Sequence, residues 1–162
     1  MSAEEAAKRR RLYEVLLDDA SIRRGNPDQE HERAIAIYDL VEENSFVVPG
    51  RDDGPYSLRI ALQDSRLAFD VKTSSGETVL SFGFSLTPFR SILKDYFMVC
   101  ESYYAAIRTA SPARIEAIDR GRSALHNEGA ELVAQRLADK IEIDGATARR
   151  LFTLIGALHW KA

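Results

Sequence analysis

Between Tyr56 and Leu86 the chain alternates apolar and polar residues three times over, and at Thr87-Pro88 the alternation gives way to a helical repeat. Tyr56, Leu58, Ile60 and Leu62 interleave with Ser57, Arg59, Ala61 and Gln63, the pattern of a strand with one buried face. Leu67, Phe69 and Val71 repeat it after Asp64-Ser65, and Leu80, Phe82, Phe84 and Leu86 repeat it after the run TSSG. Strands joined by such short turns predict an antiparallel meander with one apolar face. From Phe89 onward the apolar residues Ile92, Leu93, Tyr96, Phe97, Cys100, Tyr103, Tyr104 and Ile107 fall on one helical face, with Arg90, Lys94, Asp95 and Glu101 opposite. This Thr87 to Ile107 helix is expected to cover the sheet. Phe97 is then a core residue whose truncation to alanine costs about 3 to 5 kcal/mol.

The flanking segments add one strand candidate and three more helices. Leu12 to Leu17, LYEVLL, is the short strand. Asn26 can cap a helix, Pro27 suits its first position and Gln29 completes a capping-box-like pair, so a helix is predicted from there to about Glu43. Phe46 to Pro49 is a brief extended exit and GRDDGP a loop. Ser111-Pro112 opens another helix, which ends near Asp139; KIEI is a short strand or connector, and Asp144 caps a last helix with Ala148, Leu151, Phe152, Ile155 and Leu158 on its face. The fold class is therefore α+β, a three- or four-stranded antiparallel meander packed against long amphipathic helices. Residues 1–11 pair Glu4 with Lys8 and Glu5 with Arg9 but offer little to bury, and are expected to be a mobile N-terminal tail; residues 12–162 form a single domain.

A chain of 162 residues, 45% hydrophobic, can bury a core without a disulfide or a metal. Its one cysteine, Cys100, has no intrachain partner, which suits a reducing, cytoplasmic setting. The basic cluster in MSAEEAAKRRR is followed by no apolar region, so it reads as neither a secretory signal nor an anchor, and no apolar run approaches the roughly 20 residues that cross a bilayer. The net charge of -3 gives no overall attraction to phosphate backbones. A helix-turn-helix reading of the last two helices, with Arg149 and Arg150 on the second, is weakened by the long connector DKIEIDG and by a region from Ala105 onward that holds 9 basic and 7 acidic residues, a net of only 9 − 7 = +2.

Chemistry-bearing residues are few. His31, His126 and His159 each lie on or beside an apolar helical face, where a partly buried, hydrogen-bonded ring is the common arrangement, and HERAI lacks the second histidine of a zinc helix. No metal and no cofactor are expected. Cys100 sits in the aromatic stripe, which favours burial over nucleophilic use. Neither a Gly-rich phosphate loop nor a G-x-S-x-G elbow is present, so a catalytic role is not indicated.

The stretch DRGRSALHNEGAEL, Asp119 to Leu132, is the one dense polar cluster. With Leu125 on the helix centre line, Gly121 and Gly129 fall within about 40° of it, which suggests that another element approaches the backbone there. Arg122 and His126 lie on one margin and Glu128 on the other. One reading has them bonding across helix packing, with Glu101 or Tyr103 as partner. The other makes a small anion-accepting pocket: Arg122 as charge anchor, His126 as proton donor or acceptor, and Asn127 and Glu128 fixing orientation, beside Glu101 and Tyr103.

The runs PDQEHERAIAIYDLVEENSF, SLTPFRSILKDYFMVCESYYAAIR, RIEAIDRGRSALHNEGAEL and TARRLFTLIGALHW resemble those of uncharacterised protein family 0262, small soluble bacterial proteins best known from alphaproteobacteria. The likeness extends from about Leu12 to Trp160 and implies a cytoplasmic bacterial protein of one domain, with no activity, ligand or catalytic residue to carry over. The expectation is a small non-enzymatic domain that binds a protein partner or a regulatory ligand. The alternatives are an enzyme or a binder of a small anionic metabolite using the Asp119 to Gly129 helix, and a weak nucleic-acid binder through the C-terminal helices. Long amphipathic helices also make a homodimer a candidate state.

Overall fold

The structure is a computed structural model and describes residues 2–158. His159 and Trp160 lie outside the described residues. Its sheet contains β1 (Leu12–Leu17), β2 (Tyr56–Gln63), β3 (Arg66–Thr73) and β4 (Thr78–Ser85), in that spatial order. Among the described residues five helices accompany it: α1 (Ala3–Arg9), α2 (Pro27–Glu42), α3 (Arg90–Thr109), α4 (Pro112–Leu137) and α5 (Gly145–Leu158), with a 3-10 turn at Thr87–Phe89 before α3. The protein is α+β, as its patterning predicts.

The three alternating segments form the meander, with Phe69 of β3 opposite Ile60 of β2 and Phe82 of β4. The fourth strand departs from the expected antiparallel arrangement. β1 runs parallel to β2, because α2 carries the chain back across the sheet between them and returns it in the same direction. Asn44 fixes the start of β1 against the end of α2. Its Oδ1 accepts from the Leu12 amide at 2.7 Å, while its Nδ2 donates to the carbonyls of Leu12 at 3.0 Å and Leu40 at 2.8 Å.

Local signals at the helix starts behave as their chemistry requires. Asn26 and Gln29 form a complete capping box on α2, Ser111 caps α4, and the Asp144 carboxylate accepts from the Thr147 amide at the head of α5. The KIEI connector contributes one antiparallel bridge, Val47 to Glu142. Residues 3–9, where a mobile tail was expected, form helix α1 with Ser2 as its cap and no buried side chain. Just beyond it the Arg10 and Arg11 carbonyls accept from the Phe46 and Tyr56 amides, which brings the chain into the sheet.

The helix over the sheet is α5, not α3. The α3 helix leaves from the outermost strand, so Phe89 in the preceding turn and Leu93 in its first turns join the main core cluster; beyond them it runs along α4, with Ala106 buried near its end. Thr147, Ala148, Leu151, Phe152, Leu154, Ile155, Gly156 and Leu158 of α5 are all buried, and Ile155 and Leu158 share a cleft with Leu62, Leu67 and Leu86. A helix apolar on nearly every side belongs in the middle of the molecule. Phe97 is accordingly half-buried rather than central, and the full core role falls to Phe152 at 1% exposure. Arg33 of α2 is also buried, and ties α2 to α5 by donating from Nε to the Ala157 carbonyl at 3.2 Å and from Nη1 to the Arg23 carbonyl at 2.8 Å.

Candidate functional site

Because α3 runs off the sheet edge and packs on α4 while α2 packs on α5, a groove of about 390 Å³ is left between α2 and α3. Its floor is α5, with Phe152, Thr153, Gly156 and Ala157, and Gly156 is buried against Leu93 and Phe97. One wall is Glu32, Ile35, Ala36 and Asp39 of α2; the other is Tyr96, Phe97, Cys100, Glu101 and Tyr104 of α3. The two walls expose large apolar side chains, Ile35 at 46% and Tyr104 at 64%, where a core-facing stripe would hide them.

The charged residues lining this groove are all acidic. The α2 helix carries Asp28, Glu30, Glu32, Asp39 and Glu42 against Arg33 as its one basic residue, and Arg33 is buried in its own hydrogen bonds. Glu32 and Asp39 edge one wall and Glu101 the other. Glu32 and Asp39 are seven residues apart, about 10 Å along the helix axis, so the acidic rim spans two turns.

Cys100 lies in the groove wall, half-buried, and burial pushes its thiol pKa up, with the Tyr96 hydroxyl and the Arg122 charge acting in the opposite direction. It is a protonated thiol at neutral pH and a poor nucleophile. Burial, with Cys100 beside it, likewise raises the Tyr96 phenol to about 12.

The six residues singled out around the polar helix do not converge on one point. Arg122 donates to Asp119 Oδ1 at 2.6 Å and lies 4.0 Å over the centre of the Tyr103 ring, a cation-π contact joining α3 and α4. Burial opposes the Arg122 charge, but the hydrogen bond and charge of Asp119, together with Cys100 and Tyr103, outweigh it and leave the guanidinium pKa above its ordinary value. Asn127 and Glu128 are exposed on the far side of α4. Glu101 stands on the groove rim. His126 is inserted behind the groove, its ring 5.5 Å from Phe152 and 5.7 Å from Tyr96. Of the other histidines, His31 is exposed, and Arg150 of the C-terminal pair is taken up by Glu43, whose carbonyl it meets at 3.2 Å.

The placement of His126 follows from which face of α4 is buried. That face runs through Gly129, Val133 and Leu137, about 80° around the helix from Leu125, so the position of His126 falls within it and those of Asn127 and Glu128 fall outside. The Thr153 hydroxyl donates to the Arg149 carbonyl at 3.1 Å, so His126 Nε2, 2.9 Å from that oxygen, must carry the proton and donate. The opposite ring nitrogen, Nδ1, is enclosed with no hydrogen-bond partner among the described residues.

Burial holds the His126 pKa below its ordinary 6.5, and Arg149 and Arg122 add to this. A histidine whose folded pKa is depressed stabilises the fold in its neutral form; that contribution is full above 6.5 and is lost as pH falls through the folded value. Acidification from neutral pH is therefore expected to lower the melting temperature. His126→Gln should flatten this part of the curve, and an unchanged pH dependence in the variant would show that the ring titrates freely.

The residues missed by periodicity are Glu32, Ile35 and Asp39 of α2 and the small pair Gly156-Ala157. Two signals mark them in the sequence: a helix whose charges are nearly all acidic, and two small residues breaking the large apolar series of α5.

No helix of the described residues is long and apolar enough to cross a membrane. No solved structure matches the chain. Among curated proteins it is similar to a UPF0262 protein of Methylobacterium radiotolerans, 59% identical over 98% of this chain and 99% of the relative. A UPF0262 protein of Azorhizobium caulinodans is 61% identical over 93% and 94%, and one of Rhizobium etli 59% identical over 93% and 96%. The model of the uncharacterised protein family UPF0262 matches residues 9–161, and with relatives this similar along nearly their whole length, the chain belongs to that family.

Proposed function

We propose that the protein is a non-enzymatic cytoplasmic binding module whose groove between α2, α3 and α5 receives an amphipathic helix of a partner protein, apolar side down and basic residues along the rim. The observation that carries this reading is an apolar trough floored by Phe152, Thr153, Gly156 and Ala157, with carboxylates of Glu32, Asp39 and Glu101 on its edges. Exposed Ile35 and Tyr104 supply the contacts that such a helix buries. The carboxylates favour lysine or arginine on the guest and speed its encounter. A reducing compartment suits the free Cys100 in the wall.

A designed leucine-lysine amphipathic peptide, labelled for fluorescence anisotropy, tests this against a leucine-glutamate peptide of the same pattern. The lysine peptide is expected to bind the parent and to lose at least about tenfold in affinity, roughly 1.4 kcal/mol, in Ile35→Lys. Tyr38→Ala, at a 66% exposed position outside the groove, should bind like the parent. Equal binding of both peptides, or an Ile35→Lys variant that binds like the parent, would overturn the reading.

A further inference from the structure

The sheet ends on β4, with β3 on one side and no strand on the other among the described residues. An uncovered edge presents a row of backbone donors and acceptors, and folded proteins normally guard it with charge, proline or an interrupting bulge. The opposite edge is guarded: β1 carries Glu14 and an irregularity between Leu12 and Glu14. The β4 sequence TVLSFGFS has no charged residue and no proline, and its one irregularity lies at the Thr78 end. Leu80 and Phe82 are also incompletely covered. They share the sheet's apolar face with Phe84, yet only Phe84, stacked on Phe69 and in ring contact with Phe89, is fully buried.

We propose that a second copy of this chain covers that edge, β4 pairing antiparallel with its own counterpart to make one continuous eight-stranded sheet. The strand is self-complementary about Phe82. With Phe82 facing its copy across the two-fold axis, Leu80 of each chain faces Phe84 of the other, and Ser81 faces Gly83. Every pair on the apolar face is then apolar to apolar, and an uncharged edge sets no like charges against each other. On the polar face Gly83 leaves room for the Arg66 guanidinium, which lies 3.4 Å from where a Cβ on that glycine would stand. A foreign strand could use the same backbone row, but nothing in this edge would select it, whereas the two-fold register satisfies both copies at once.

Sedimentation velocity over a wide concentration range, on the parent and on Ser81→Lys, decides the matter. Ser81 is exposed on the polar face, where its hydroxyl donates to Asp70, and in the two-fold register it faces Gly83 of the copy, against which the Arg66 guanidinium lies; the lysine therefore leaves the intrachain core alone while setting positive charge against that arginine. The parent should sediment as a dimer with a melting temperature that rises with concentration, and Ser81→Lys as a monomer with the parent's circular dichroism spectrum and a concentration-independent melting temperature. A parent that stays monomeric at every concentration overturns the proposal, and so does a Ser81→Lys variant that still dimerises. Should that variant misfold, hydrogen exchange on the parent replaces it: the outward β4 amides must become protected as concentration rises, and identical exchange at both ends of the range overturns the proposal.

Discussion

Replacing Gly129 by alanine is expected to destabilise the protein, although alanine is the better helix former by about 1 kcal/mol. A Cβ at this position would overlap Cδ1, Cε1 and Cζ of the Phe152 ring. That ring cannot swing aside, because Tyr96 meets it edge-on at 5.6 Å and His126 at 5.5 Å. Overpacking of this kind costs about 1 to 3 kcal/mol and more where the neighbour is boxed in, so the propensity gain is outweighed and a net loss of about 2 kcal/mol is expected. Gly121 on the same helix is the control. The nearest atom to a Cβ there is Val99 Cγ2 at 3.9 Å, so Gly121→Ala should gain about 0.5 to 1 kcal/mol. Thermal melts of the two variants should move in opposite directions, and a Gly129→Ala protein melting above the parent would contradict the packing described for α4 and α5.

Phe152→Ala should have the larger effect. The ring is 1% exposed and lies where α3, α4 and α5 meet, touching Tyr96, His126 and the backbone of Gly129. Its removal takes about 3 to 5 kcal/mol from stability, or roughly ten degrees of melting temperature for a chain of this length. The same truncation lowers the floor of the groove and loosens the seat of His126, so the surviving folded fraction should bind the lysine peptide more weakly. Denaturant titration separates the two effects. A variant within about 1 kcal/mol of the parent would mean that this junction is not the core.

Features set by a few neighbouring residues were legible in the sequence. The alternation in β2, β3 and β4, the Asn26-Gln29 box and the Ser111-Pro112 and Asp144 starts each depend on residues within one turn, and each is present. The direction of β1 was not, since a six-residue strand carries no mark of its partner's direction and only the α2 crossover sets it. Nor could periodicity rank two amphipathic helices. The aromatic stripe of α3 looks more core-like than α5, but the chain enters α3 from an edge strand and has already left the sheet by Phe97.

The candidate site was legible only in fragments. Arg122 and Tyr103 do meet across helices, by ring contact and not by a hydrogen bond, and Glu101 reaches the groove rim while Asn127 and Glu128 face away. Ile35 and Tyr38 stand at helical spacing from His31, the pattern of a buried stripe, yet all three are exposed, because the buried face of α2 passes through Arg33, Ala36 and Leu40. An exposed apolar residue and a buried one have the same letter in a sequence; only the gap between α2 and α3 tells them apart.

The groove's role as a docking site is tested most directly by a photo-crosslinking amino acid placed at Tyr104 in the protein produced in an alphaproteobacterial cell, with Tyr38 as the labelled control. Tyr104 should give one dominant protein adduct, abolished by Ile35→Lys, whose crosslinked segment has apolar residues at three- and four-residue spacing flanked by lysine or arginine. Adducts from Tyr38 but none from Tyr104, or a Tyr104 adduct to an acidic segment that persists in Ile35→Lys, would contradict it.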